Sequence, residues 1–280
     1  MKICAACCID LPREKYSKKQ WHTKKYKRRC AACIDSNQGC TLFDKALFQQ
    51  PPRKEDCPIC FLRLSSLGAG SKYSACCGKT ICNGCIHAVA RMDKEEKCPF
   101  CRSPSPASNE EVIKQVKKRV EASDAQAMTN LGGFYDEGLY DLPQDSAKAV
   151  ELWRHAAELG NAFAYHNIGY AYFDGRGVER DEKKAVHYYD LAAMGGDILA
   201  RQCLGILEKR SGSTDRSLKH FMIAVEFGSK DSLEHIKQFF MNGHATKDDY
   251  EKALRVYQAY LDDSKSAGRD EAAAFDENNL

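Results

Sequence analysis

The sequence predicts a multidomain fold class in which small, cysteine-stapled N-terminal modules precede an all-α solenoid of helical hairpins. Three observations support this prediction. Fourteen of the 15 cysteines lie at or before Cys101. Residues 1–105 carry 20 basic and 9 acidic side chains, whereas the remainder carries 22 and 30. The acidic part also repeats a helical pattern every 32 to 36 residues, so two regions with different physical roles are the simplest interpretation.

Bulk composition is that of a globular protein, with 43% apolar and 29% charged residues. No apolar run approaches the roughly 20 residues that a membrane span needs, and the first residues lack the apolar stretch of a signal peptide. We therefore expect a cytoplasmic or nuclear protein with no membrane partner. In such a reducing compartment, paired cysteines favour metal binding over disulfides.

The first cysteine group, in residues 1–40, contains two Cys-x2-Cys pairs. Two such pairs can place four thiolates in a tetrahedron, which is the geometry that structural zinc prefers. Cys8 and His22 are alternative ligands, and the role of Cys40 stays open. The predicted ligands of this zinc finger are Cys4, Cys7, Cys30 and Cys33.

A basic loop separates the two pairs of this finger, with Tyr16, Trp21 and Tyr26 interleaved among its lysines and arginines. Basic and aromatic side chains together could hold nucleic acid through phosphate contacts and stacking, or serve as a nuclear-import signal. The favoured interpretation is that the aromatics form a small core and the lysines are solvated. A nucleic-acid partner is therefore the less favoured alternative.

The second cysteine group follows a Pro-Pro break and holds eight thiols in four pairs. Three Cys-x2-Cys units fall within residues 57–101, and the remaining pair is adjacent in sequence. Eight thiols suffice for two metal ions with no ligand left over. This series of four cysteine pairs is the most specific signal in the sequence. The pairs are Cys57 and Cys60, Cys76 and Cys77, Cys82 and Cys85, and Cys98 and Cys101.

The segments "CPIC", "CCGKTICNGCI" and "CPFCR" resemble the all-cysteine variant of the RING finger. In that family the ligand pairs alternate, and the resemblance implies a cross-brace with two zinc ions. The interleaving staples a segment too short to build its own core. The first zinc would be held by Cys57, Cys60, Cys82 and Cys85, and the second by Cys76, Cys77, Cys98 and Cys101.

One departure from the family is the doublet Cys76-Cys77, because the third and fourth ligands are usually separated by other residues. Lys79 stands where the His-containing RING carries its histidine, and a protonated lysine is no zinc ligand. We predict that both cysteines of the doublet bind. The alternative is that one binds and His87 or water completes the shell.

The same resemblance implies a surface that recruits a ubiquitin-conjugating enzyme. Ile59 is the aliphatic residue between the first two ligands, and Pro99 lies between the last two with Phe100 beside it. Val89 occupies the position of a larger side chain in many ligases. Arg102 matches the linchpin, whose guanidinium fork favours a reactive conformation by differential binding and not by nucleophilic catalysis. The alternative is that these residues only pack the module.

The back part of the chain is a repeat, in which "AVELWRHAAELG" and "AVHYYDLAAMGG" have two later counterparts. Two helical patterns per period predict a solenoid of helical hairpins. Small residues allow close helix approach, and Trp153, Tyr188, Tyr189 and Phe221 are predicted to fill the spaces between hairpins. Cys203 is predicted to belong to this core and not to a metal site.

The segment "IGYAYFDGRGVERDEKKAVHYYDLAAMGG" closely resembles Sel1-like repeats, relatives of tetratricopeptide repeats. The resemblance implies a scaffold with a protein partner in a concave groove, and some members of that family work in ubiquitin-dependent quality control. The expected domains are a zinc finger at 1–40, a linker at 41–54, a RING-type module at 55–104, a linker and helix at 105–123, repeats at 124–264 and a fraying C-terminal tail at 265–280.

Taken together, these features predict a zinc-binding RING-type ubiquitin ligase. Its RING would recruit a ubiquitin-conjugating enzyme, and its repeats would hold a protein substrate or adaptor. It would contribute no catalytic residue of its own, only the linchpin Arg102. The alternative is a non-catalytic zinc-finger and repeat scaffold, associated with nucleic acid through the basic first finger.

Overall fold

The computed structural model describes residues 2–3, 10–11, 14, 44, 46–52, 55–65, 70–92 and 97–277. The chain forms two compact units, Met1–Gln50 and Pro51–Leu280. In the first unit, strand β1 (Lys2–Ile3) pairs antiparallel with β2 (Asp10–Leu11). The cysteines and the histidine considered for the first zinc finger lie outside the described residues, namely Cys4, Cys7, Cys8, His22, Cys30, Cys33 and Cys40.

The second unit begins with a cysteine-rich module. Strands β3 (Ser71–Ser74) and β4 (Lys79–Cys82) form an antiparallel hairpin, and helix α1 (Asn83–Met92) follows directly. Among the described residues of this module, five are buried in its core, and three of these are cysteines, alongside Leu64 and Ile81. Apolar packing alone therefore stabilises the module little, as expected for a segment of this size.

Across residues 109–264, all of which the structure describes, nine helices continue the second unit as a helical array. Helix α2 comes first and is followed by four helix pairs, α3/α4, α5/α6, α7/α8 and α9/α10. None of the described helices is long and apolar enough to cross a membrane. Their bounds are α2 Asn109–Glu121, α3 Ala125–Glu137, α4 Ser146–Glu158, α5 Ala162–Asp174, α6 Glu182–Met194, α7 Ile198–Arg210, α8 Thr214–Glu226, α9 Lys230–Met241 and α10 Lys247–Ser264.

The helices of the array begin at side-chain caps that recur along the chain. An oxygen of an Asp or Asn side chain accepts a hydrogen bond from a first-turn N–H of each helix from α3 to α7. Helices α3 and α5 end at Gly138 and Gly175, whose left-handed backbone (φ 68° and 80°) suits glycine. The capping residues are Asp124, Asp145, Asn161, Asp181 and Asp197.

A glycine on the first helix of a pair meets an aromatic ring on the second helix three times in succession. A Cβ atom at Gly169 would lie 2.8 Å from the ring of Tyr189, and one at Gly205 would lie 2.6 Å from Phe221. In the first pair, a Cβ atom at Gly132 would collide with the indole of Trp153. The three aromatic rings are buried. The predictions that small residues permit close approach and that aromatics fill the core are therefore confirmed for these pairs.

Gly132 and its neighbour Gly133 provide a matched test of this packing. Gly132→Ala is expected to lower the free energy of unfolding by about 1–3 kcal/mol, because the added methyl group displaces Trp153. Gly133 has no atom within 4 Å of an added Cβ, so Gly133→Ala is expected to be neutral or stabilising by up to about 1 kcal/mol. Denaturant unfolding followed by circular dichroism measures both. Equal effects of the two substitutions would contradict the assignment of Gly132 to the helix interface.

The C-terminal segment differs from its prediction. Residues 265–280 were expected to fray, but Ala267–Glu277 forms helix α11, which packs against α1 of the cysteine-rich module. Ala272 is buried there. The prediction was wrong because the segment is polar and rich in small residues. Such residues bury little apolar surface, so a helix of this composition is stabilised only when it packs on a partner surface, and the sequence pattern does not reveal that surface.

Candidate metal centre

The first thiol cluster consists of Cys57, Cys60, Cys82 and Cys85, whose sulfurs all lie within 4.8 Å of one another. The Sγ atoms of Cys57 and Cys85 are 3.9 Å apart, and those of Cys60 and Cys82 are 3.7 Å apart. A tetrahedron with metal–sulfur bonds of about 2.3 Å has edges of roughly 3.8 Å. The spacing of these sulfurs therefore fits one tetrahedral metal ion.

The second thiol cluster consists of Cys76, Cys77, Cys98 and Cys101. The Sγ atoms of Cys77 and Cys98 are 3.9 Å apart, and those of Cys76 and Cys101 are 3.4 Å apart. Both cysteines of the doublet therefore converge on the same pair of partners. This cluster could also hold one metal ion.

A tight turn between β3 and β4 makes this convergence possible. The N–H groups of Cys77 and Gly78 both donate to the carbonyl oxygen of Ser74, at 3.2 and 2.8 Å. Gly78 has a φ of +70°, a left-handed conformation that glycine adopts without strain. Lys79 is exposed. The alternative ligand His87 lies instead against Phe275, with ring centroids 5.2 Å apart.

The two clusters interleave along the chain. The first combines the first and third cysteine pairs, and the second combines the second and fourth. Cys82 ends β4 and Cys85 lies in the first turn of α1, so each metal ion would tie a Cys-x2-Cys turn to the hairpin or its following helix. The resemblance to the RING finger implied the same alternation of pairs, and metal binding by these eight cysteines stays a prediction.

The two outer Cys-x2-Cys turns share one backbone geometry. The residue that follows each turn, Phe61 or Arg102, has a left-handed backbone with φ of 57° or 62°. Its N–H donates to the carbonyl oxygen of the first cysteine, Cys57 or Cys98, at 2.9 and 3.0 Å. A left-handed conformation costs a non-glycine residue about 1–2 kcal/mol, so a fixed surrounding structure is needed to hold it.

Hydrogen bonds lower the pKa of some thiols in the two clusters, whereas burial raises the pKa of others. Contact with the Ser103 hydroxyl lowers the pKa of Cys101 to about 6. Burial would raise the pKa of Cys57, but backbone hydrogen bonds outweigh it and lower that pKa to about 6. For Cys76 and Cys85, burial and the neighbouring thiols raise the pKa. Metal uptake should therefore release protons from the thiols whose pKa is raised, and it should weaken as the pH falls.

The residues implied as contacts for a conjugating enzyme are all at least partly exposed. Ile59 is half-buried and packs against the core of the module. Val89 lies on α1 and is half-buried, as is Pro99. Phe100 is 44% exposed, and Arg102 is exposed. These residues are therefore accessible to a partner, and a packing role remains open for Ile59.

Sequence reasoning missed a polar contact between the module and the helical array. The hydroxyl of Tyr73 donates to Asp124 at 2.7 Å, and Arg119 donates to the same carboxylate at 2.7 and 3.0 Å. A Cβ atom at Gly78 would collide with the Arg119 guanidinium. Burial would raise the pKa of Asp124, but the hydrogen bonds from Tyr73 and Arg119 lower it. Asp124 therefore stays ionised at neutral pH, and this contact is lost only at strongly acidic pH.

Comparison with known proteins identifies the repeats. The family model described as Sel1 repeat matches residues 125–161 and 162–197, so this region contains Sel1 repeats. One similar solved structure is that of a protective antigen present in uropathogenic Escherichia coli strains and displaying an SLR fold. Its sequence is 24% identical to this chain, and the two structures superpose with a TM-score of 0.50. The match covers 66% of this chain and 38% of that chain. This likeness supports the all-helical solenoid fold of the array.

Two curated plant relatives carry names from ubiquitin ligation. The ERAD-associated E3 ubiquitin-protein ligase component HRD3B of Arabidopsis thaliana is 30% identical over 117 residues, which are 41% of this chain and 18% of that protein. The E3 ubiquitin-protein ligase GW2 of Oryza sativa subsp. indica is 37% identical over 67 residues, 23% of this chain and 15% of that protein. The matches thus span less than a fifth of either relative.

Proposed function

We propose that the protein is a zinc-binding RING-type ubiquitin ligase. The observation that carries the proposal is the interleaving of two four-thiol clusters within residues 57–101. The names of the plant relatives, a ligase component and a ligase, support a place in ubiquitin ligation. The Sel1 repeats favour a scaffold that holds a protein substrate or adaptor.

The proposed metal in both clusters is zinc. A tetrahedral set of thiolates suits zinc, and oxygen-preferring ions such as magnesium and calcium are disfavoured there. Zinc would supply structural cross-links, and no chemical step is assigned to it. The first finger would hold a third zinc through Cys4, Cys7, Cys30 and Cys33.

The conjugating enzyme would dock on an apolar surface formed by Ile59, Val89, Pro99 and Phe100. Arg102 directly follows the last cysteine, so the second metal ion would fix its backbone. Its rigid guanidinium fork can bond two partners at once, which would favour the reactive conformation of the charged enzyme. The attack of a substrate lysine on the thioester belongs to the conjugating enzyme.

The repeats would supply the surface for the substrate or adaptor. Several apolar side chains of the array are exposed, among them Leu159, Tyr170 and Met241 at 53%, 43% and 72%. Exposed apolar and aromatic side chains are suited to protein contacts. The Sel1 repeats and the module lie in the same compact unit, so substrate and conjugating enzyme would be held by one body.

Autoubiquitination with a panel of conjugating enzymes tests this proposal. Ile59→Ala and Arg102→Ala are each expected to lower activity at least about tenfold, which corresponds to about 1.4 kcal/mol of lost interaction. Arg255→Ala, which changes an exposed arginine of α10, should leave activity unchanged. Zinc content must equal that of the wild type in all variants. If neither substitution lowers the activity, the proposed mechanism is wrong.

The second candidate function is a non-catalytic scaffold. It is favoured by the packing of Ile59 against the core and by the small size of Val89 at its position. Under this alternative, a zinc-loaded chain would show no autoubiquitination with any conjugating enzyme. The nucleic-acid alternative concerns the basic loop between Cys7 and Cys30, whose basic and aromatic side chains lie outside the described residues. A salt titration of RNA or DNA binding tests it.

A further inference from the structure

The C-terminal helix α11 lies directly against the first thiol cluster. Gly84 stands between the ligand positions Cys82 and Cys85, and a Cβ atom there would lie 2.9 Å from the backbone nitrogen of Arg269 and from the carbonyl carbon of Gly268. Helix α11 therefore approaches the backbone of this ligand pair so closely that only glycine fits at residue 84.

Arg269 also reaches the other ligand pair of the same cluster. Its Nη1 donates to the carbonyl oxygen of Arg63 at 2.8 Å, and its Nη2 donates to that of Leu62 at 3.2 Å. The Leu62 carbonyl also accepts the N–H of Cys57 at 2.9 Å. One arginine from α11 thus bonds the same carbonyl that holds the turn of the first cysteine.

The charge of Arg269 suits a loaded metal site. Its guanidinium is partly buried and donates to the carbonyl groups two and three residues beyond the ligand position Cys60. Four thiolates around one divalent ion leave two excess negative charges. A partly buried cation beside such a group is stabilising, because solvent screens the attraction less than at an exposed surface.

Two further contacts of α11 lie on one face of α1. Arg91 pairs with Glu271 at 2.8 Å, but both side chains are more than half exposed, so this pair contributes little. His87 contacts Phe275. Gly84, His87 and Arg91 follow helical spacing, and Val89 lies off this face. The docked helix therefore leaves Val89 available to a partner.

We propose that α11 is a brace for the first metal site and that Arg269 is its positioning residue. Metal loading of this cluster and docking of α11 then form one coupled equilibrium, in which each favours the other by the same factor. The inference rests on the zinc occupancy proposed above. It adds a regulatory consequence, since anything that detaches α11 weakens the first site and leaves the second site loaded.

The test measures how fast each cysteine of the zinc-loaded full-length chain reacts with N-ethylmaleimide in the presence of a chelator, resolved by peptide mass spectrometry. In Arg269→Ala, the first cluster is expected to react about 10- to 100-fold faster than in the wild type, the usual range for losing an outer-shell partner. The second cluster should keep its wild-type rate. Arg269→Lys keeps the positive charge but loses the guanidinium fork. The reaction rate of its first cluster should lie between those of the wild type and Arg269→Ala.

Glu271→Ala is the matched control, because it removes a contact of α11 that does not reach the ligand turns. It should react like the wild type. Unchanged protection of the first cluster in Arg269→Ala would overturn the brace, and so would equal acceleration of both clusters, which would indicate general unfolding. A wild-type chain that holds no zinc would overturn the proposed metal sites themselves. Failure of the brace can therefore be distinguished from failure of the proposed zinc sites.

Discussion

Cys77→Ala is expected to hold one metal ion fewer than the wild type. Its Sγ lies 3.9 Å from that of Cys98, and without it only three thiols of the second cluster remain. Structural zinc in small domains supplies on the order of 10 kcal/mol of folding free energy, so the β3–β4 hairpin and the turn at Cys98 should lose their order together. Inductively coupled plasma mass spectrometry gives the metal content, and hydrogen exchange of residues 71–82 reports the loss of structure.

Two comparisons sharpen this result. Cys203→Ala removes a half-buried thiol of the helical array and should keep the wild-type metal content. Cys76→Ala should match Cys77→Ala, because both sulfurs converge on the same partners. If one of the two substitutions in the doublet leaves the metal content unchanged, only the other cysteine is a ligand.

The pairing of the thiols could be anticipated from sequence only through the family resemblance. The spacing alone shows that eight thiols could hold two metal ions, but it does not show which cysteine pairs share one ion. The convergence of the doublet depends on the turn at Gly78, whose φ of +70° brings Cys76 and Cys77 to one side. Glycine in that place was visible in the sequence, and its conformation was not.

The helices of the array were more predictable, because their signals are local. The caps, the recurrent small residues and the aromatics all fall at fixed places in a repeat, and each acts on its own or the adjacent helix. The docking of α11 depends instead on contacts such as that between Arg269 and Arg63, which are 206 positions apart. No periodic pattern encodes a contact of that range.

The cysteine-rich module is held at two points, one near the start of the helical array and one on α11, which follows the array. Asp124, at the start of α3, binds Tyr73, and Arg269 of α11 binds the carbonyl groups of Leu62 and Arg63. A module fixed at two points has less freedom than one on a flexible linker. Under the proposed function, the array would therefore set the distance between a bound substrate and the conjugating enzyme.

Phe221→Ala is expected to lower the free energy of unfolding by about 3–5 kcal/mol. Phe221 is fully buried, and its ring stacks on His235 at 4.6 Å and meets Phe239 edge-on at 5.9 Å. Truncation would leave a cavity among α7, α8 and α9 that the surrounding helices can fill only in part. Denaturant unfolding of the full chain measures the change, and Phe163→Ala, at a ring that is 39% exposed, should cost much less.

A double-mutant cycle with Gly205 separates the helix contact from general loss of apolar area. In the wild-type background, Gly205→Ala should be destabilising, because its Cβ would lie 2.6 Å from the Phe221 ring. In the Phe221→Ala background the same methyl group enters the vacated space, so the penalty should disappear or change sign. Contacting residues show coupling of about 0.5–3 kcal/mol in such cycles. Additive effects of the two substitutions would show that the glycine and the ring do not pack against each other.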